Sequence, residues 1–333
     1  MSVDYKVRQI YNDIIHEVTK NAENWKDVLS LTGRIYRYEF DNILMIYAQK
    51  PHSTLVADYD TWKKVDRYVR RGSKGIAIYP SRALQPHCRY VFDISDTGGR
   101  KRQLTWTLDG ENLENYAAYL VRNGEIGSIE GLDRDLLKKV IWDFTKKRID
   151  GIIKENHAKR GNVKEAVQSM IDNRYGKVSE IDGADLITKS IYYVVATRCG
   201  FELTVDEQDF DIVTAIDKED VIYELGTFVS DVSCEILKEF SYNISRFERE
   251  RRMQYEPDTS VHGSRGRDAV PEYQHGEGKP VKTGQVRTDG NGLSQGEPLP
   301  EVQVSRAVRQ TDGSSGTGEQ GGVSDDRHDD GEV

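Results

Sequence analysis

A chain of 333 residues with a formal net charge of −9 is long enough for one large domain or two ordinary ones. As a whole-chain average its acidic balance argues against a nucleic-acid binder. Cys88, Cys199 and Cys234 are odd in number, far apart and form no CxxC, so neither a disulfide framework nor a zinc knuckle is indicated.

Tyr5 to Lys20 is predicted helical, because Val7, Ile10, Tyr11, Ile14, Ile15 and Val18 fall on one stripe. A second helix is expected over Glu39 to Gln49, with Phe40, Ile43, Leu44 and Tyr47 on its inner face and Lys50-Pro51 as its stop. Asp60 is the expected cap of a short helix carrying Trp62 and Val65. Strands follow at Gly75–Tyr79 and Cys88–Ile94, and Asp96-Thr97-Gly98-Gly99 reads as a hairpin turn into a further strand, Arg102–Leu108.

From Asn112 to about Glu250 the periodicity is helical. Leu113/Tyr116/Ala117/Leu120 form one stripe, and Leu136/Leu137/Val140/Ile141/Phe144 a second. Ile187/Ile191/Val194/Val195 and Ile222/Leu225/Val229/Val232 suggest two more. The last 79 residues contain no Phe, Trp, Ile, Met or Cys and hold fourteen of the 29 glycines. Such a segment buries too little apolar surface to offset the entropy of ordering. The expected architecture is an α+β N-terminal domain (1–110), helices packed on a small antiparallel sheet, followed by a mainly α-helical region (111–250) and a disordered Gly-rich tail (251–333). A tail of this kind reads as a linker, so the chain is expected to lead a longer multidomain protein.

Charge is segregated along the chain. Between Thr61 and Gln103 eleven Lys/Arg stand against three Asp, a local balance of +8. Screening limits charge effects to about 8–10 Å at physiological salt, so a ligand meets this patch rather than the average. The wider stretch Thr32–Pro80 interleaves cations with Tyr36, Tyr38, Tyr47, Tyr59, Trp62, Tyr68 and Tyr79. That mixture suits single-stranded nucleic acid, which offers a phosphate and a flat base at every nucleotide. It also suits an ordinary solvated face over a core, and Glu39, Asp41, Asp58 and Asp60 oppose the first reading. Tyr38 and Trp62, flanked by charge, are the candidate stacking platforms. Gly72-Ser73-Lys74-Gly75 is either a phosphate-binding nest of N–H groups or a plain turn.

Motifs for catalysis are missing. His16-Glu17 starts like HExxH, but Lys20 stands where the second histidine belongs, and no two histidines lie four apart. Neither GxxxxGK[ST] nor GxSxG occurs. No enzyme activity, catalytic residue, metal or cofactor is expected. No signal-peptide core and no run of roughly 20 apolar residues is present, so a cytoplasmic setting without a membrane partner is expected.

Four blocks carry a family likeness: Thr32-Gly33-Arg34-Ile35-Tyr36, Asn42-Ile43-Leu44, Tyr59-Asp60-Thr61-Trp62 and Val69-Arg70-Arg71-Gly72-Ser73-Lys74-Gly75-Ile76. In order and spacing they resemble the N-terminal single-stranded-DNA-binding domain of ArdC-type antirestriction proteins, in the version that begins large helicase/methylase-like proteins of conjugative elements. The similarity covers roughly residues 4–108. It implies that Arg34, Tyr36, Asn42, Trp62, Arg70, Arg71 and Lys74 lie on or beside a DNA path. Single-stranded DNA is the implied partner, with helicase/methylase domains of the same element as further ones. Full ArdC-type proteins continue into a zinc-metallopeptidase-like half carrying HExxH; here 111–250 has no such motif, and is either a vestigial remnant of that half or an unrelated helical bundle.

The expected function is sequence-tolerant single-stranded-DNA binding by a mobile-element (conjugative transposon) protein, in antirestriction or protection of the transferred strand. The alternative is a non-enzymatic protein-interaction module built on the acidic helical half and the tail. A hydrolase with scattered catalytic residues comes last.

Overall fold

The computed structural model describes residues 3–79, 88–100, 104–160, 162–177 and 182–255. Its first helix, α1 (Val3–Glu17), turns Val7 and Ile15 inward, leaves His16 exposed and stops before the expected Lys20. A helix the periodicity reading passed over follows. In α2 (Ala22–Arg34) Asn21 Oδ1 accepts the Asn24 N–H at 2.7 Å, capping one of the donors a helix start leaves open. It buries Trp25, Val28, Leu29 and Leu31.

Helix α3 (Phe40–Gln49) buries Phe40, Ile43 and Leu44 as spaced and ends before Pro51. The short α4 (Tyr59–Lys64) is capped by Asp58 rather than Asp60: Asp58 Oδ1 accepts the Thr61 N–H at 2.7 Å.

Five short strands make two small antiparallel sheets. Strands β1 (Val56–Ala57), β3 (Ile76–Ile78) and β4 (Arg89–Asp93) are ordered β1-β4-β3, with Ile76 opposite Val91, Ala77 opposite Tyr90 and Val56 opposite Asp93. Strands β2 (Arg67–Val69) and β5 (Thr97–Gly99) form a separate ribbon with Tyr68 opposite Gly98. The hairpin turn expected at Asp96–Gly99 is therefore the strand β5. Glycine composition signalled a turn, but Gly99, at φ +121°, serves a tight crossing against Asp66. Of the strand expected at Arg102–Leu108, residues 101–103 lie outside the described residues and Leu104–Leu108 is irregular.

The remaining described chain is helical: α5 (Gly110–Arg122), α6 (Arg134–Arg160), α7 (Val163–Tyr175), α8 (Gly183–Cys199) and α9 (Glu219–Tyr255). The four expected stripes point inward, except that Leu136 is exposed. Helix α9 runs past the expected start of the tail at 251, and residues 256–333 lie outside the described residues. No helix among the described residues is long and apolar enough to cross a membrane.

One core joins the first three helices to the later ones. Helix α2 packs along α8, and α1 and α3 pack on α9. Trp25 Nε1 donates to Ser190 Oγ of α8 at 3.0 Å. Gly33 lets the α2 and α8 backbones approach: a Cβ there would lie 2.9 Å from the Val194 carbonyl oxygen. A satellite cluster of Ala57, Trp62 and Val65 lies under the ribbon with Val69, Phe92 and Leu104 packed against it.

Candidate nucleic-acid interface

Four of the seven residues expected on a DNA path are structural. Arg34 Nε donates to the Ser53 carbonyl at 2.8 Å and its NH2 to the Pro51 carbonyl at 3.0 Å, tying down the loop after α3. Burial lowers its pKa while Asp27 and Asp93 oppose that shift. Tyr36 is buried, and its hydroxyl accepts the Trp106 indole N–H at 3.2 Å. Asn42 is buried, with Oδ1 accepting the Tyr79 N–H at 3.0 Å.

Two turns further along α3, Gln49 accepts the Ala77 N–H and donates to the Ala77 carbonyl, both at 2.9 Å. Among the described residues β3 is an edge strand, and Asn42 and Gln49 together take up backbone groups along that edge, at Tyr79 and Ala77. Trp62 exposes none of its surface, and Nε1 donates to the Phe92 carbonyl at 3.0 Å. No base can stack on it. Tyr38, the other expected platform, is half-buried, its hydroxyl donating to the Val56 carbonyl at 3.0 Å. Flanking charge misled in both cases: on α4 the neighbours of Trp62 point in different directions, and Tyr38, in the bend between α2 and α3, turns its hydroxyl to the Val56 carbonyl.

Arg70, Arg71 and Lys74 do come together, on the exposed turn between β2 and β3. The Ser73 N–H donates to the Arg70 carbonyl at 3.1 Å, and Gly72 at the third position has φ +85°. That is the geometry of a type II turn, whose third position favours glycine. It spends the Ser73 N–H, one of the donors that a phosphate-binding nest over Gly72–Gly75 would offer.

One carbonyl anchors the turn: Asp96 accepts the Arg70 N–H at 2.9 Å and the Ser73 hydroxyl at 3.1 Å. Lys50 Nζ holds the Asp96 carboxylate at 2.7 Å, so that cation is spent. Asp93 organises the same corner, accepting the Thr54 and Leu55 N–H groups on one oxygen and the Ser95 N–H on the other. Burial pushes the Asp93 pKa up, but these hydrogen bonds outweigh it and hold the carboxyl below its ordinary range. Arg67 is spent on Thr97 and the Arg100 carbonyl. Arg71, Lys74 and Arg89 are exposed and make no ion pair with any described residue. Arg70 is exposed too, its NH1 reaching the Ser95 carbonyl at 3.4 Å, so the outcome is a pinned backbone carrying exposed cations.

Two exposed rings border this turn. Tyr68, 61% exposed, stands two residues before Arg70 and lies across Gly98, where a Cβ would fall 2.6 Å from Tyr68 Cζ. Tyr90, 50% exposed, lies against Gly75, next to Lys74; a Cβ there would fall 3.0 Å from Tyr90 Cδ1. Tyr68 is one of the rings interleaved with cations in Thr32–Pro80 but is not singled out there as a platform, and Tyr90 lies outside that stretch. Alternation along β4 would place Tyr90 inside with Phe92, and only the facing glycines signal that a ring lies flat on the surface. Among the described residues no group of three or more His, Cys, Asp or Glu is placed to hold a metal ion.

An α+β module with an anchored cationic turn is thus the class that the first hundred residues define. Residues 6–105 match the family described as the N-terminal domain of anti-restriction factor ArdC. The match stops short of α5, so the later helices lie outside it. No curated protein and no solved structure matches the chain.

Proposed function

We propose that this chain is a sequence-tolerant single-stranded-DNA-binding protein of a conjugative mobile element that acts in antirestriction or protection of the transferred strand. The observation that carries the reading is the Arg70–Lys74 turn. Its cations are exposed, its backbone is fixed by the Asp96 carbonyl, and it lies inside the segment that matches the ArdC family. Arg and Lys on a preset backbone neutralise phosphates without reading bases. The protein acts by binding rather than catalysis, in the cytoplasm, alongside helicase or methylase domains of the same element. The test is a fluorescence-anisotropy titration of the full chain against a dT oligonucleotide and a duplex of equal length. Binding that weakens on replacing Arg70, Arg71 and Lys74 with alanine is the expected result; equal affinity in the triple variant overturns the site.

A further inference from the structure

We infer that Tyr68 and Tyr90 are the base-contacting platforms of this surface, so that its ligand is DNA with unpaired bases; the inference rests on the proposed DNA-binding role of the turn. The two tyrosines are large aromatic side chains left half or more open to solvent in a module that buries Tyr36 and Trp62 completely or nearly so. Each is backed by a glycine that has no side chain to lift the ring, Gly98 beneath Tyr68 and Gly75 beneath Tyr90. Each ring approaches a glycine on one side and is half or more open to solvent, which leaves aromatic surface for a stacking partner. The hydroxyl adds a polar tip that keeps an exposed ring compatible with water.

Position supplies the second argument. Tyr68 lies two residues before the first cation of the turn, and the ring of Tyr90 touches the residue after the last. Gly75 lies seven positions after Tyr68, about 24 Å even if fully extended, and the Arg70–Ser73 hydrogen bond shortens that reach. A short run of nucleotides therefore meets a ring, a set of cations and a second ring. Bases inside a duplex are covered on both faces by their neighbours and cannot lie on either tyrosine. The rings thus confer the preference for single strands, and the cations alone do not.

The experiment uses the full chain and three probes: a dT oligonucleotide, an abasic oligonucleotide of the same length, and a duplex. Tyr68→Leu and Tyr90→Leu keep apolar bulk over the glycines and remove the π-face; Tyr68→Phe and Tyr90→Phe keep the face. Each Leu variant is expected to lose roughly 5- to 150-fold in affinity for dT, the range that base stacking supplies. The same variants lose little on the abasic strand, and the Phe variants bind like the parent. If a Leu variant is unstable, the parent chain still decides the matter, because stacking requires it to prefer dT over the abasic strand by a similar factor. Leu variants that bind dT as the parent does, while the Arg70/Arg71/Lys74 triple variant loses binding, overturn the platforms and leave the DNA-binding turn standing. A parent chain that binds none of the probes overturns the functional reading itself.

Discussion

The Arg198 guanidinium lies 3.8 Å above the centre of the Trp106 ring, and its NH2 donates to the Trp106 carbonyl at 2.6 Å. Trp106 in turn donates its indole N–H to Tyr36 and stacks on Phe240. A cation from α8 thus grips the irregular strap that leaves the ArdC-type segment, with no carboxylate paired to it among the described residues. Burial lowers its pKa, and the ring supplies part of the stabilisation a carboxylate would have given. Arg198→Ala is expected to cost about 3 kcal/mol, from a desolvated cation–π contact and a charged hydrogen bond. Arg198→Lys should recover little, because an ammonium has no flat face to lay on the indole. Urea unfolding measures both; a loss below about 1 kcal/mol in the alanine variant contradicts the role.

Phe40 of α3 presses its ring against Gly226 of α9, where no Cβ can be accommodated. Gly226→Ala is expected to destabilise by about 1–3 kcal/mol through overpacking. Phe40→Leu in that background should cost less than in the parent, since the shorter side chain vacates the contact. A double-mutant cycle reads this coupling directly, and strict additivity would refute it.

Asn42 was expected on the DNA path and instead satisfies the Tyr79 N–H. Asn42→Ala removes a buried amide and the acceptor it offers the Tyr79 N–H, and is expected to lower stability by about 1 kcal/mol. The slope of DNA affinity against salt should not change, because that slope counts phosphate contacts. Thermal melting and a salt titration check the two halves separately.

Asp93 supplies the pH dependence. Its pKa is held below the ordinary carboxylate range in the fold, so as pH falls the unfolded chain takes up the proton first. Its stabilisation is complete above the unfolded pKa, near 3.9, and is lost as pH falls through the lower folded value. Asp93→Asn should therefore flatten the fall in stability below about pH 4 relative to the parent. Unfolding free energies across the acid range measure this; parallel curves for the two proteins contradict it.

How much of this was legible in the sequence follows from what each signal encodes. The inward stripes of α3, α5, α8 and α9 were readable because a 3.6-residue period records burial directly. Helix α2 carries its own signal, Asn21 before Trp25, Val28 and Leu29, but polar residues interrupt it and leave the helix less apolar than α3. Strand β5 was illegible: Thr97-Gly98-Gly99 has the composition of a turn, and it is a strand because it pairs with β2, a partner distant along the chain, with Gly98 opposite Tyr68. Arg34 and Lys50 look like free cations in sequence, yet carbonyl oxygens and carboxylates distant along the chain use both. Of the expected site, only Arg70, Arg71 and Lys74 are brought together on the surface; their glycines marked a turn or a nest without fixing which, and the Arg70–Ser73 hydrogen bond sets the turn.

The salt dependence of single-strand binding tests the central claim most directly. Log–log plots of affinity against salt for the full chain and its Arg70→Ala/Arg71→Ala/Lys74→Ala variant compare the number of phosphates neutralised. Each cation lost removes about 0.7 from the slope for single strands, so the triple variant should be shallower by about 2. An unchanged slope, whatever the affinity, would show that the phosphates are held elsewhere on the molecule.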